Sequence, residues 1–314
     1  MKVHTSIDSF RNVDRPVVTT GTFDGVHRGH RVILERLVQL ARKEDGESVL
    51  FTFHPHPRMV LFPSDHGVQL LNTQKEKAHL LEAAGIDHLL VVPFSRAFSR
   101  MKAEEYVRDV LVDGLRIHAM VIGYDHRFGR NREGDIALLR SAGKHYGFKV
   151  EEIPAQEIDH VKVSSTKVRQ ALEQGDVDVA QAYLGYPYAL EGVVVRGEMI
   201  GRTLGYPTAN INLMDTLKLV PANGVYAVDV QWKDGTFGGM LNIGTRPTIR
   251  NGANERTIEV HVFDMDADLY GETLTVRFHD RIRDEHRFGD QHALREQLSK
   301  DAERARKLLK RAKR

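Results

Sequence analysis

Three glycines and two histidines fall within the ten residues of "GTFDGVHRGH", residues 21–30, just after the apolar run Pro16-Val17-Val18. Gly21, Gly25 and Gly29 allow close approach of backbone to a ligand and positive φ. His27 and His30 flank Gly29, where the apolar spacing that follows marks the start of a helix. A helix start carries unpaired N–H groups and a partial positive charge, so it attracts anions. Two imidazoles there can donate hydrogen bonds to phosphate oxygens, and the stretch reads as a phosphate cradle. Two blander readings stay open. One is a tight strand-to-helix turn with surface histidines. The other is a zinc pair, which the absence of cysteine and of an obvious third ligand disfavours.

Three further stretches carry chemistry. In "VSSTKVR" (163–169), Ser164, Ser165 and Thr166 open a predicted helix. Hydroxyl residues are natural N-caps; with the Arg169 guanidinium they also make an anion-binding set. Simple capping is the alternative. In "GRTLGYPTANI" (201–211), Gly201 and Gly205 permit a tight loop and Pro207 stiffens its exit. Thr208 and Asn210 alternate, so in an extended strand they share a face. A hydroxyl and an amide carbonyl are hard oxygen donors, suited to Mg²⁺ beside a triphosphate. An ordinary Gly/Pro turn is the alternative. In "TIEVHVFD" (257–264), Glu259 and His261 alternate with Val260 and Val262. If the valines face a core, the polar pair faces the other way, as at a barrel mouth; a solvated strand face is the alternative. His54 and His56 in "HPHP" read equally as ligand contacts and as surface residues.

The elements that must position these residues change rhythm part-way along the chain. In the first half, short apolar runs such as "VVTT", "SVLFTF", "HLLVVPF", "AMVIGY" and "FKVEEI" alternate with amphipathic stretches such as "HRVILERLVQLARKED" and "AEEYVRDVLVDGL". Strands separated by helices of 10–15 residues predict parallel βαβ units and a Rossmann-like sheet, with ligands beyond the carboxyl ends of the strands. From about Pro187 the runs become short, β-branched and aromatic, separated by turn residues, which predicts a small β-barrel. A helix over about 290–312 follows. The fold class is therefore α/β plus all-β. The expected division is residues 1–184 and 185–314.

Composition narrows the function. The 314 residues contain no cysteine, which excludes disulfides and thiolate chemistry and fits a cytoplasmic location. No apolar run reaches 18 residues, so no membrane span is expected, and "MKVHTSIDSF" has no apolar signal-peptide core. The net charge of +2 is too small to imply nucleic acid; only the C-terminal "RARKLLKRAKR" is strongly basic, and it reads as an amphipathic helix with a solvated face or a phosphate- or RNA-binding tail. Oligomeric state is not readable.

At this point a family resemblance emerges. "FDGVHRGH" resembles the nucleotidyltransferase signature, and in fuller form that of bacterial bifunctional riboflavin kinase/FAD synthetases. "FTFHPHPRMVL", "IGYDHRFGRNREGD" and "VSSTKVR" are similar to further segments of the same family, with His126 standing where the family usually has phenylalanine. "GRTLGYPTAN" closely resembles the flavokinase motif, and "NIGTRPTI", "DLYGETL" and "RIRDEHRF" (281–288, a flap over flavin) also match. The resemblance implies that riboflavin is phosphorylated by ATP to FMN in the barrel half, and FMN is adenylylated by a second ATP to FAD and pyrophosphate in the Rossmann-like half, with Mg²⁺ in both. It implies Glu259 as catalytic base of the kinase, and His27 and His30 as catalytic groups of the transferase. It assigns nucleotide or flavin contacts to Gly21, Thr22, Phe23, Asp24, Gly25, Gly29, Asp125, Arg127, Ser164, Ser165, Thr166 and Arg169, and to Gly201, Arg202, Gly205 and Pro207. Thr208 and Asn210 are the implied metal ligands. The rivals are an FMN adenylyltransferase whose barrel only holds flavin, and a flavin-responsive nucleic-acid-binding protein.

Overall fold

The structure, a computed structural model, describes residues 1–64, 67–155, 163–197, 200–247, 254–286 and 288–312. It divides into two compact units, Met1–Ser164 and Ser165–Arg314.

The first unit is built on a parallel sheet of β1 (Lys2–His4), β2 (Val17–Thr20), β3 (Ser48–His54), β4 (His88–Pro93), β5 (Ala119–Gly123) and β6 (Lys149–Ile153), in the order β1-β4-β3-β2-β5-β6. Every residue of β2 and of β5 is buried, as expected of central parallel strands covered on both faces. Alternation along the strands sorts the core into two layers. Val49, Phe51, Met120 and Ile122 face one, with Tyr106 and Leu111; Leu50 and Val121 face the other, with Leu34 and Leu37 of the helix Arg28–Lys43. The strand order reverses between β2 and β5, and the carboxyl ends of those two strands frame a crevice.

Two details depart from the sequence reading. β1 is a sheet strand that the sequence pattern did not reveal; it is three residues long and largely exposed, so it shows no alternation. The predicted helix over "AEEYVRDVLVDGL" is α-helical only over Ala103–Glu105 and then widens into a π-helical stretch, Tyr106–Gly114. There Leu115 N–H donates to the carbonyl of Val110, five residues back, at 2.9 Å. The wider turn brings Tyr106, Val107, Val110 and Leu111 all inward.

The second unit is a closed antiparallel barrel of β7 (Ala189–Val195), β8 (Ala209–Leu213), β9 (Gly224–Trp232), β10 (Gly235–Pro247), β11 (Asn254–Val262) and β12 (Thr273–Arg283), in the order β10-β11-β8-β7-β12-β9. Leu241 pairs in register with Val260 and Tyr226, and all three are fully buried on the inner face. The outer face of β9, β10 and β12 is covered by the helix Gln291–Ala312, which packs Ala305, Leu308 and Leu309 on Ala227, Met240 and Phe263. The helices Ser165–Gln174 and Val177–Leu184 also belong to this unit, held by Ala222 N–H on the Leu172 carbonyl at 2.9 Å and by Arg281 on the Gln174 carbonyl at 3.2 Å.

Candidate active sites

In the first unit, a cavity of about 820 Å³ opens at the carboxyl ends of β2 to β5. Gly21, Thr22, Phe23, His30, Asp125 and Arg127 line it. The loop after β2 holds unusual backbone: Phe23 and Val26 have φ of 45° and 35°, and both are buried. Positive φ is costly for a β-branched residue and persists only where packing imposes it.

His27 is the N-cap of the helix Arg28–Lys43, its Nδ1 accepting from His30 N–H at 3.2 Å. A neutral imidazole that accepts at Nδ1 carries its proton on Nε2, so His27 is set as an Nε2–H donor. The two rings stack with centroids 3.6 Å apart, and His30 Nδ1 is buried with no partner among the described residues. Burial first, then the electrostatic influence of the neighbouring His27 and Lys77, pulls the His30 pKa well below the ordinary value, so this ring is neutral near pH 7. Gly29 is closely packed: a Cβ would stand 3.3 Å from the His27 ring, which would have to give slightly.

Asp24 and Lys77 brace the loop from beneath. Asp24 is 3% exposed and accepts from Leu71 N–H at 3.0 Å and Asn72 N–H at 3.3 Å, so it ties the loop to residues 71–72 and does not line the cavity. Lys77, 5% exposed, donates to the Thr22 carbonyl at 2.8 Å. Nothing in the sequence separated Lys77 from the surface lysines of its helix. Tyr106 was equally hidden; it lines the cavity from the π-helical stretch, where burial pushes its phenol up beyond the ordinary range. His56 caps the turn Pro57–Leu61 by accepting from Arg58 N–H at 3.2 Å, and His54 Nδ1 lies 3.1 Å from Gln74 Nε2. Both histidines of "HPHP" thus serve local structure, and neither lines the cavity.

Arg127 makes an ion pair with Asp135 at 3.2 Å at the cavity rim. Ser165, Thr166 and Arg169 lie on the helix Ser165–Gln174, with Ser164 immediately before it, and the helix buries Val168, Ala171 and Leu172.

In the second unit two cavities adjoin. One, about 330 Å³, lies between the outer wall of the barrel and the terminal helix and is lined by Gly201, Thr208, Asn242, Glu259, His261 and Arg283, among others. The other, about 380 Å³, lies at the open end of the barrel against Val194, Ala209, Val260 and Val262, with Arg202, Pro207 and Thr208. Thr208 borders both, and its hydroxyl donates to Glu259 Oε2 at 3.3 Å. Register explains the grouping: Glu259 pairs with Asn210 on one side and Asn242 on the other, so the three share a face. That face points toward the terminal helix, whereas Val260 points inward. Glu259 therefore does not sit in the barrel mouth that the alternation suggested; it reaches the crevice outside the wall, next to the mouth.

The loop before β8 is shaped for this. Gly205 has φ of 85°, and a Cβ on Gly201 would collide with the Tyr206 carbonyl. His261 Nδ1 lies 2.8 Å from the Pro207 carbonyl and its ring meets Tyr206 edge-on. Arg283, on the far side, grips Asp301 of the terminal helix at 2.8 and 3.0 Å; that carboxylate is 1% exposed. Arg281–Arg283, which the sequence grouped with a flap, are the end of β12.

The cavity of the first unit and the two of the second fall in separate family segments. The FAD synthetase family model matches residues 10–167, and the riboflavin kinase model matches residues 184–309. The chain is 40% identical to the bifunctional riboflavin kinase/FMN adenylyltransferase of Escherichia coli (strain K12) over 294 residues, 93% of this chain and 92% of that protein. It belongs to this bifunctional family. The protein of the same description from Buchnera aphidicola subsp. Schizaphis graminum is 36% identical over 96% of this chain and 97% of its own length. A solved structure titled "Macrolide-efflux Protein" from Streptococcus pneumoniae superimposes with a TM-score of 0.87 at 32% identity, covering 97% of this chain and 98% of that one. Among the described residues of this chain no helix is long and apolar enough to cross a membrane. Both enzyme domains of the family, the kinase and the adenylyltransferase, are present, and flavin cofactor synthesis from small-molecule substrates is their common task.

Proposed function

We propose that the chain converts riboflavin to FAD in two steps that demand different side chains, and that each unit supplies only the set its own step needs. The observation that carries this reading is the Glu259 carboxylate beside the Thr208 hydroxyl, where two cavities meet.

In the kinase step the ribityl hydroxyl oxygen of riboflavin attacks the γ-phosphorus of ATP; an O–P bond forms, the bond to the β,γ-bridging oxygen breaks, and ADP leaves. The attacking oxygen carries a proton, and Glu259 takes it. Riboflavin would occupy the crevice under the terminal helix, and the nucleotide the barrel mouth. Thr208 and Asn210 offer hard oxygens on one face, and no cluster of three acidic or imidazole groups among the described residues could hold a metal alone. That donor set fits Mg²⁺, which keeps few protein ligands and completes its shell with phosphate oxygens. When bound, the ion would neutralise charge on the transferring phosphate.

In the adenylylation step a phosphate oxygen of FMN attacks the α-phosphorus of the second ATP and pyrophosphate leaves. The attacking oxygen is already anionic, so no base is required. Alignment and charge neutralisation suffice, and the loop amides, His27 Nε2–H and His30 offer them.

The test is a crossed pair of variants in the full chain. Glu259→Ala should reduce FMN formation by about 10²–10⁴-fold while FMN is still converted to FAD; His30→Ala should do the reverse. Loss of both reactions in each folded variant would end the division of labour.

A further inference from the structure

The cavity of the first unit has two chemically different ends. At one end are the loop residues Gly21, Thr22 and Phe23 and the His30 ring, with His27 stacked behind it. The other is aromatic: Phe53 and Phe98 (5.3 Å between centroids), Phe98 and Tyr106 (6.1 Å), Tyr106 and Phe128 (5.4 Å) form a continuous belt that lines the cavity. His126 closes the belt, stacked on Phe128 at 5.9 Å and 23°. Its Nε2 is buried and has no partner among the described residues. An unpaired buried polar atom is destabilising, and a phenylalanine there would carry no such cost.

A belt of aromatic faces ending in one unpaired ring nitrogen suits a flat heterocycle with apolar faces and a hydrogen-bonding edge. We propose that His126 is a specificity-determining residue of the adenylylation step, offering Nε2 to the polar edge of the flavin ring as FMN lies along the belt. Burial lowers the His126 pKa to about 4, so the ring is neutral near pH 7 and either donates or accepts according to its tautomer. The inference rests on the reading that this cavity takes FMN.

The experiment uses the full-length chain with His126→Phe and His126→Gln. FMN-to-FAD conversion is measured against FMN at saturating ATP and against ATP at saturating FMN, and FMN affinity without ATP is read by flavin fluorescence. His126→Phe should raise both the KM and the Kd for FMN about tenfold, with the KM for ATP and kcat unchanged. Gln, which returns a polar group at similar reach, should recover part of the loss. Riboflavin phosphorylation by the same samples should stay at the unsubstituted level, and the thermal transition should not fall. An unchanged FMN affinity in His126→Phe overturns the proposal. So does a raised KM for ATP with FMN binding intact, which would assign the belt to adenine. Failure of the unsubstituted protein to make FAD would instead refute the functional reading on which this one stands.

Discussion

At the residue scale, the first unit buries imidazole nitrogens of His30 and His126 that have no partner among the described residues. His126 is neutral and buried, with its pKa lowered first by desolvation. An unfolded imidazole titrates near 6.5. Above that pH neither state holds the proton and stability is untouched. As pH falls from 6.5 toward 4 the unfolded chain gains a proton that the folded one refuses, so stability drops, by at most ~1.4 kcal/mol per pH unit for one such group. His30, lowered for the same reason, acts in the same direction. The urea midpoint of the first unit should therefore fall between pH 6.5 and 5, and less steeply in His126→Phe; equal slopes in the two proteins would contradict this.

Lys77 gives a second prediction. Its ammonium holds the Thr22 carbonyl from beneath, and its charge helps keep His30 deprotonated. Lys77→Met should slow FMN adenylylation about 10–100-fold, the loss of one charge-assisted hydrogen bond of ~1.5–3 kcal/mol, and should raise the His30 pKa seen by NMR, leaving riboflavin phosphorylation alone. The grouping of Gly29, His27 and His30 at a helix start was legible in the sequence, because they are neighbours in the chain. Lys77, Tyr106 and the Arg283–Asp301 pair were not, because each reaches its site only through packing of distant elements.

At the scale of elements, most strands and helices announce themselves by period. The exceptions have reasons. β1 is too short to show a pattern, and a nine-residue π-helix is not distinguishable from an α-helix by spacing alone. The placement of Glu259 shows the same limit. Alternation fixed which residues share a side with it, but not that this side lies outside the barrel, because that depends on where the terminal helix docks.

The docking can be tested. Arg283 and Asp301 form a pair whose carboxylate is almost fully buried, and Gln297 adds a bond to the same carboxylate at 2.8 Å. Asp301→Asn leaves a largely buried guanidinium without its counter-charge, a change that costs ~3–5 kcal/mol in comparable pairs. The thermal transition of the second unit should fall, and the KM for riboflavin should rise as the helix loosens over its crevice, while FMN adenylylation is spared. A lower transition with an unchanged riboflavin KM would place the crevice elsewhere.

For the whole molecule, the two units bear on how the chain can be divided. The compact division follows Ser164, and the helices Ser165–Gln174 and Val177–Leu184 bury Leu172, Val177, Ala180 and Leu184 with the barrel unit. A fragment of residues 165–314 should therefore phosphorylate riboflavin and melt well above one of residues 185–314, which would leave the barrel wall that those helices cover open to water. Equal melting of the two fragments would show that the helices add nothing to the barrel.

The outer strands of the parallel sheet have one more consequence. β1 is three residues long, and β6 is "KVEEI", with Lys149 paired to Glu44, Glu151 to Arg36 and Glu152 to Arg140. The barrel closes on itself. Among the described residues a neighbouring copy thus finds no long, bare row of amides and carbonyls to extend, only a stub and a fringe of engaged charges. Crowding this protein to high concentration should not drive it into cross-β fibres while it stays folded.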